Sequence, residues 1–269
     1  MVHLHLHTHF SFGIGVSSPE VLAAAAAERG HRALACTDTN GVYGAIEFQR
    51  ACDAAGIRPI LGAHLVTDEE ETVALATDER GWGALCRAIS GIHWRDQDGE
   101  PFRLSAHLAT DRAGLLLLSR DTAFLERVVV ESGTADLYAE LVPGKERHAV
   151  LAAARRLGLS AVATNAVVMA HPEDWSRHRL VRAIHLNTTI SELERGEQTR
   201  PCALSPRDAW LRPAADLTRH FPDCPEAVVA TELLAERCTW RIPWGRIHDG
   251  KFVREGSGIW TGCCSGGIV

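Results

Sequence analysis

Along the first residues of the chain, histidine alternates with leucine and then with threonine, as Val2-His3-Leu4-His5-Leu6-His7-Thr8-His9. A period of two is the strand period. It predicts an opening strand with His3, His5 and His7 on one face and Leu4 and Leu6 on the other. The apolar face is expected to pack beneath helices and the imidazole face to look into a cavity. A vector-derived tag repeats histidine without strand patterning and does not run straight into a turn like the one holding Gly13 and Gly15, so the pattern reads as part of the fold. Beyond it the pattern alternates between helical and strand periods. Ser18-Pro19-Glu20 reads as an N-cap with proline in the first turn, opening a helix that runs to about Arg29 and stops at Gly30. The apolar strand 33–36 delivers Thr37-Asp38-Thr39-Asn40 at its end. A helix over 43–55 stops at Gly56, and the strand 57–61 leads to Gly62 and His64. Strand candidates follow at 71–76, 114–118, 137–141 and 161–165, with helices over 83–90, 122–132 and 145–157 and a mixed stretch over 91–111. Repetition of strand and helix with short connections predicts a parallel sheet. Seven strands suit a closed barrel better than a six-stranded dinucleotide fold, and no GxGxxG follows the first strand.

The last third changes character. Residues 172–184 should be helical, a short helix is expected at Pro206-Arg207-Asp208, and Cys224-Pro225-Glu226 should start a longer one ending near Arg237. The expected organisation is a barrel over 1–200, a mainly helical extension over 201–249 and a tail over 250–269. Glycine and serine dominate that tail. Glycine has a high ordering cost and few apolar residues offset it, so the tail is expected to lack a stable fold.

Composition narrows the classes. The chain has 269 residues, 46% of them hydrophobic and 23% charged, with a formal net charge of -6. That balance argues against broad, nonspecific nucleic-acid binding by this segment alone. The eight cysteines form no CxxC pair, which points to reduced thiols and a cytoplasmic setting. No apolar run reaches membrane-spanning length, and the alanine run 23–27 is broken by Glu28 and Arg29.

Barrel active sites gather at the C-terminal ends of the strands. There the pattern places His5 and His7 from the first strand, Asp38 from the second and His64 from the third. Glu71 begins its strand and is the weaker candidate. Imidazoles and carboxylates converging in one place suit zinc or manganese. The plain alternative is a hydrogen-bonded histidine cluster without metal. Asp38 is better suited to orienting a neighbouring histidine or capping the following helix than to direct ligation. For His171, His178, His220 and His248 a surface or helical role is the default. No P-loop, GxSxG, HExxH or four-cysteine zinc spacing is present.

These pieces resemble a known family. Val2-His3-Leu4-His5-Leu6-His7-Thr8 with Ser11, Thr37-Asp38, Gly44-Ala45-Ile46-Glu47-Phe48 and the run from Ala55 to Gly62 carry the likeness. So do Val162-Ala163-Thr164-Asn165, Pro172-Glu173-Asp174 with His178, Pro225-Glu226-Ala227 and Ala235-Glu236-Arg237-Cys238. Over about residues 1–245 the chain is similar to the N-terminal PHP (polymerase and histidinol phosphatase) domain of the bacterial DNA polymerase III alpha subunit and its error-prone relatives. The resemblance implies a distorted (β/α)7 barrel with a metal site at its mouth. It also implies a parent DNA polymerase whose core domains, and a proofreading exonuclease subunit, are the partners. DNA would be met mainly through that parent.

The implied ligands are only partly present. His5 and His7 match the opening pair and Asp38 its motif, but Thr39 stands where the family has histidine. Ile14 replaces an acidic residue or histidine, His64 a glutamate and Glu71 a histidine. Ala166-Val167-Val168 replaces the late DxH. The expected outcome is a degenerate site with at most one weakly held zinc or manganese on His5, His7 and His64, with water or Asp38 completing the shell. The expected role is mainly structural. The competing reading is a metal-dependent phosphoesterase or 3'-to-5' exonuclease with an altered ligand set.

Overall fold

The computed structural model describes residues 1–94, 102–195 and 204–243, so the expected tail over 250–269 lies outside the described residues. In chain order the elements are α1 (Pro19–Glu28), β1 (Ala33–Thr39), α2 (Ala45–Ala55), β2 (Arg58–Val66), β3 (Glu71–Ala76), α3 (Glu79–His93) and α4 (Leu104–Thr110). Then come β4 (Leu115–Ser119), α5 (Thr122–Ser132), β5 (Leu137–Leu141), α6 (Arg147–Leu157), β6 (Ser160–Ala163), α7 (Trp175–His185), α8 (Ile190–Glu194), α9 (Ala214–Thr218) and α10 (Pro225–Arg237). Caps follow sequence: the Ser18 side chain accepts from Val21 N, and Gly56 and Gly158 end their helices in the left-handed region.

The six strands pair in chain order. The N-terminal segment closes them into a barrel. On one side Ala35 N donates to His3 O and Thr37 N to Leu6 O; on the other His7 N donates to Val167 O and Val167 N to His5 O. The result is an α/β domain with a mixed sheet wrapped by helices and a helical extension; the α/β class, the barrel and the extension are as the pattern predicts.

Three expectations need correction. The sheet is not all parallel, because β3 runs antiparallel to both β2 and β4. Only residues 67–70 join β2 to β3, and four residues can turn a hairpin but cannot cross over to a parallel neighbour. The opening segment is not a regular strand. It bends at His5, and its ladder is reduced to the isolated bridges His3–Leu34 and Leu6–Val167. The bend shifts the alternation, so Leu4 joins the barrel interior with Ile60, Leu116 and Val162, while Leu6 packs outward with Leu22, Leu34 and Phe48. His3 leaves the histidine face altogether, its Nε2 donating to Arg212 O beside His31. Finally, residues 206–208 form no helix; they lead into an extended stretch where Trp210 bridges Met169.

Alternate residues of the strands fill the barrel: Ala35, Ile60, Val73, Leu75, Leu116, Leu118 and Val162 form an apolar plug. Helix α10 seals its lower end with Leu234, Ala235 and Cys238. The opposite faces of the same strands, with Ala63, Ala74, Leu117 and Ala139, meet the surrounding helices. Among the described residues no helix is long and apolar enough to cross a membrane, and Cys36, Cys52, Cys86, Cys224 and Cys238 are free thiols.

Candidate metal centre

Above the apolar plug the inward-facing positions turn polar. His64 ends the inward row of β2 and Glu140 that of β5, while Glu71 opens β3 and Arg120 directly follows β4. Because β3 is antiparallel, its start and not its end lies at the mouth. That is why Glu71, the weaker candidate by position in its strand, stands in the site. His5 and His7 reach the same layer from the closing segment. A cavity of about 1110 Å³ opens above these residues.

His5, His7 and His64 place one ring nitrogen each within 4.8 Å of one another, all three buried. His5 Nε2 and His7 Nε2 are 3.0 Å apart. Hydrogen-bond accounting fixes the protons. The Ser11 hydroxyl donates its only proton to Asp38 Oδ1 at 2.7 Å, so Ser11 Oγ accepts from His7 Nδ1 at 2.9 Å. His5 Nδ1 donates to Glu140 Oε1 at 2.7 Å. With both Nδ1 atoms protonated, two neutral rings turn bare Nε2 lone pairs toward each other. A shared proton or a metal ion between the two nitrogens would relieve that arrangement. His64 adds a buried Nδ1 with no hydrogen-bond partner. Three imidazoles with carboxylate and hydroxyl groups behind them are a donor set that fits a divalent transition metal. His5, His7 and His64 would hold it, and bound there it would supply Lewis-acid polarisation and an activated water.

Asp38 is not part of the cluster. Its carboxylate accepts from Thr8 N at 2.7 Å, Thr8 Oγ1 at 2.8 Å, Ser11 Oγ and the Cys36 thiol. It acts on the site through Ser11, which it orients against His7. The structure therefore brings together three of the four sequence candidates and sets Asp38 behind them.

Two residues escaped the sequence reading. Glu140 accepts from His5 and from Thr164 Oγ1 at 2.6 Å. Arg120 Nε donates to Glu71 Oε1 at 2.8 Å, and Glu71 Oε2 lies 3.6 Å from His64 Nε2. The available signal was a charged residue in or directly after an otherwise apolar strand.

The fields of these groups set their charge. Burial, then His5 and His64, push His7 well below the usual imidazole value, and burial lowers His64 against the pull of Glu71. Burial opposes ionisation of Glu71, but His64 and Arg120 outweigh it and hold its carboxyl well below the ordinary range. In the same way burial is overcome at Glu140 by His5, Arg120 and Thr164. Thr39, Ile14, Ala166 and Val168 line the cavity and offer no donor comparable to a histidine or carboxylate.

The PHP domain model matches residues 3–157, more than half of the chain. The chain belongs to the PHP-domain family. It is 32% identical over 276 residues to the error-prone DNA polymerase of Symbiobacterium thermophilum, covering 88% of this chain and 25% of that protein. It is 30% identical over 281 residues to the DNA polymerase III subunit alpha of Escherichia coli, covering 93% and 24%. This PHP-domain chain thus spans about a quarter of the length of the curated relatives it matches. In backbone shape it is similar to an amidohydrolase from Chromobacterium violaceum solved with bound sulfate and no metal (TM-score 0.45, 14% identity, covering 61% of this chain and 86% of that one). It is also similar to a two-domain protein from Bacteroides vulgatus inferred to contain a PHP-like metal-dependent phosphoesterase (TM-score 0.44, 12% identity, covering 62% and 51%).

Proposed function

We propose that this chain is the PHP domain of a polymerase resembling the DNA polymerase III alpha subunit, replicative or error-prone. In this reading it holds at most one zinc or manganese ion on His5, His7 and His64, and its main role is structural. The carrying observation is that, among the described residues, the three carboxylates that back the triad are already engaged: Asp38 by Thr8 and Ser11, Glu140 by His5 and Thr164, and Glu71 by Arg120. A paired-metal phosphoesterase needs anionic groups that bridge two ions, so that attacking and leaving oxygens are stabilised together. Among the described residues the clustered metal-type donors are the three imidazoles, with no carboxylate in the cluster. The similarity to much longer polymerases supports core polymerase domains as partners, and the reading adds a proofreading exonuclease subunit and a cytoplasmic setting. DNA would be reached mainly through the parent polymerase. On this reading residues 1–200 are the barrel and 201–249 the extension leading toward the polymerase core.

One observation favours the hydrolase alternative. The resemblance implies glutamate at 64 and histidine at 71, and this chain has the two exchanged. Their side chains meet at 3.6 Å, so that corner keeps one imidazole and one carboxylate. A single metal can still activate water, which makes the two readings separable by experiment. The chain, purified without a polyhistidine tag, is analysed for metal and assayed on a phosphomonoester and on 3'-labelled single-stranded DNA. We expect about one ion per chain, lost in the His5→Ala His7→Ala double variant, and no efficient turnover. Two or more tightly bound ions in the unaltered chain, or turnover abolished by the double substitution, would replace this reading with the active hydrolase.

A further inference from the structure

We propose that the Arg120 guanidinium is the resident second cation of this centre, and that by pairing with Glu71 it limits the site to one metal ion. The inference rests on the reading that the histidine triad takes one ion, and asks why it takes no more. Strands β3 and β4 are antiparallel, with Val73 opposite Leu118, so continuing the register by two residues sets Glu71 beside Arg120 at the mouth. The guanidinium lies against Glu71 Oε1 at 2.8 Å, and the other oxygen of Glu71 faces His64 Nε2 at 3.6 Å. Glu71 is thus a bridge with a fixed cation on one side and a triad imidazole on the other. A carboxylate in that place between two dications would be a metal bridge. Arg120 is also largely buried for so long a side chain, with 27% of it exposed.

Charge points the same way. Asp38 accepts from three N–H and O–H donors of Thr8 and Ser11. Asp38 backs the triad through Ser11, Glu140 through His5 and Glu71 beside His64, and Arg120 is the cation in direct contact with Glu71, while Arg182 lines the same cavity farther from these pairs. The guanidinium on Glu71 already supplies one positive charge at this corner, so one dication at the triad is met by the carboxylates that remain. A second would add positive charge among buried side chains already holding a guanidinium, which is unfavourable. Without the guanidinium, the same carboxylates retain negative charge after the first dication binds. Glu71 then loses its competing partner, next to a His64 whose Nδ1 is buried and unpaired.

The test is metal stoichiometry on the full chain, using manganese and zinc separately, by elemental analysis after equilibration in metal-buffered solution. Manganese samples are also read by electron paramagnetic resonance, where two neighbouring ions couple and one does not. Arg120→Gln should raise bound manganese from one to two per chain and produce the coupled spectrum. Arg120→Lys, which keeps the charge, should stay at one. Arg120→Gln combined with Glu71→Gln should return to one. A folded Arg120→Gln protein, checked by circular dichroism, that gains no ion overturns the proposal, as does Arg120→Lys gaining one. If Arg120→Gln fails to fold, Glu71→Gln in the presence of Arg120 decides. Its uncompensated guanidinium should weaken the first ion at least tenfold, and unchanged affinity overturns the proposal. An unaltered chain that binds no ion would sink the triad reading, whereas the Arg120 assignment is judged on whether Arg120→Gln gains an ion relative to it.

Discussion

His178, a residue whose default from sequence is an ordinary helical histidine, is fully buried on α7. Its Nδ1 donates to Ile14 O at 2.9 Å and its ring stacks on Trp175. Burial pushes its pKa down to about 4. The unfolded chain takes up this proton near the ordinary value of about 6.5, the folded chain only near 4. Between those values the unfolded state binds more protons, so this contribution to stability is whole above the upper value and declines as pH falls toward the lower. The slope is at most ~1.4 kcal/mol per pH unit, or roughly 3 kcal/mol across the window. Urea unfolding at several pH values between 4 and 7 should therefore show a shallower decline for His178→Phe than for the unaltered chain. Parallel curves would refute the assignment. The same scale shows what sequence can reveal. His5, His7 and His64 were legible because imidazoles at strand ends have few structural reasons to be there. Asp38 was legible as a residue that orients a neighbour. Glu140 and Arg120 were not: Glu140 meets His5, 135 positions away, at 2.7 Å only through closure of the barrel, and Arg120 meets Glu71 only through the antiparallel register of β3 and β4.

At the scale of elements, the strand and helix positions were largely legible from apolar period, while strand direction and side-chain facing were not. Direction is set by the length of a connection, and the four residues between β2 and β3 look in sequence like any other loop. Facing in the opening segment is set by one bend at His5, which no periodicity announces. The hairpin carries a testable consequence. Gly62 pairs with Leu75 across β2 and β3, and a Cβ there would meet Ala74 O at 2.4 Å and Leu75 Cδ2 at 2.8 Å. Backbone occupies that space, so Gly62→Ala must displace β2 from β3. Overpacking of this kind costs about 1–3 kcal/mol. His64, two residues further on the same strand, would shift with it. Thermal unfolding should register the loss of stability, and a metal titration should show weaker binding even though no ligand was changed. Unaltered metal affinity in a destabilised protein would indicate that the triad does not depend on this pairing.

The whole molecule depends on its two ends more than the match to the family model suggests. That match stops at residue 157, yet β6, the closing contacts at Val167 and the seal by α10 all lie beyond it. The seal is specific. Val2 N donates to Thr231 Oγ1 at 3.1 Å, Arg58 Nη1 donates to Ala235 O and Cys238 O, and Arg237 reaches the Tyr138 hydroxyl and Asp136. The chain then crosses α2 and α3, where Trp240 stacks on Trp82 and Ile242 exchanges two backbone hydrogen bonds with the Gln49 amide. Leu234 fills the barrel floor against the layer that includes Ile60, Leu116 and Val162. Leu234→Ala should cost about 2–5 kcal/mol, the range for a buried leucine whose cavity collapses incompletely. A chain ending before Pro225 should fare worse, because it uncovers the apolar floor and strands the Arg58 guanidinium and the Val2 amide. We expect that truncation to lower the unfolding midpoint sharply and to reduce metal binding, although every triad residue is retained. A truncated chain with the unaltered midpoint would show that the barrel stands without α10. The outcome also bears on the polymerase reading. If α10 seals the barrel, displacing it disturbs the same core that positions His5, His7 and His64.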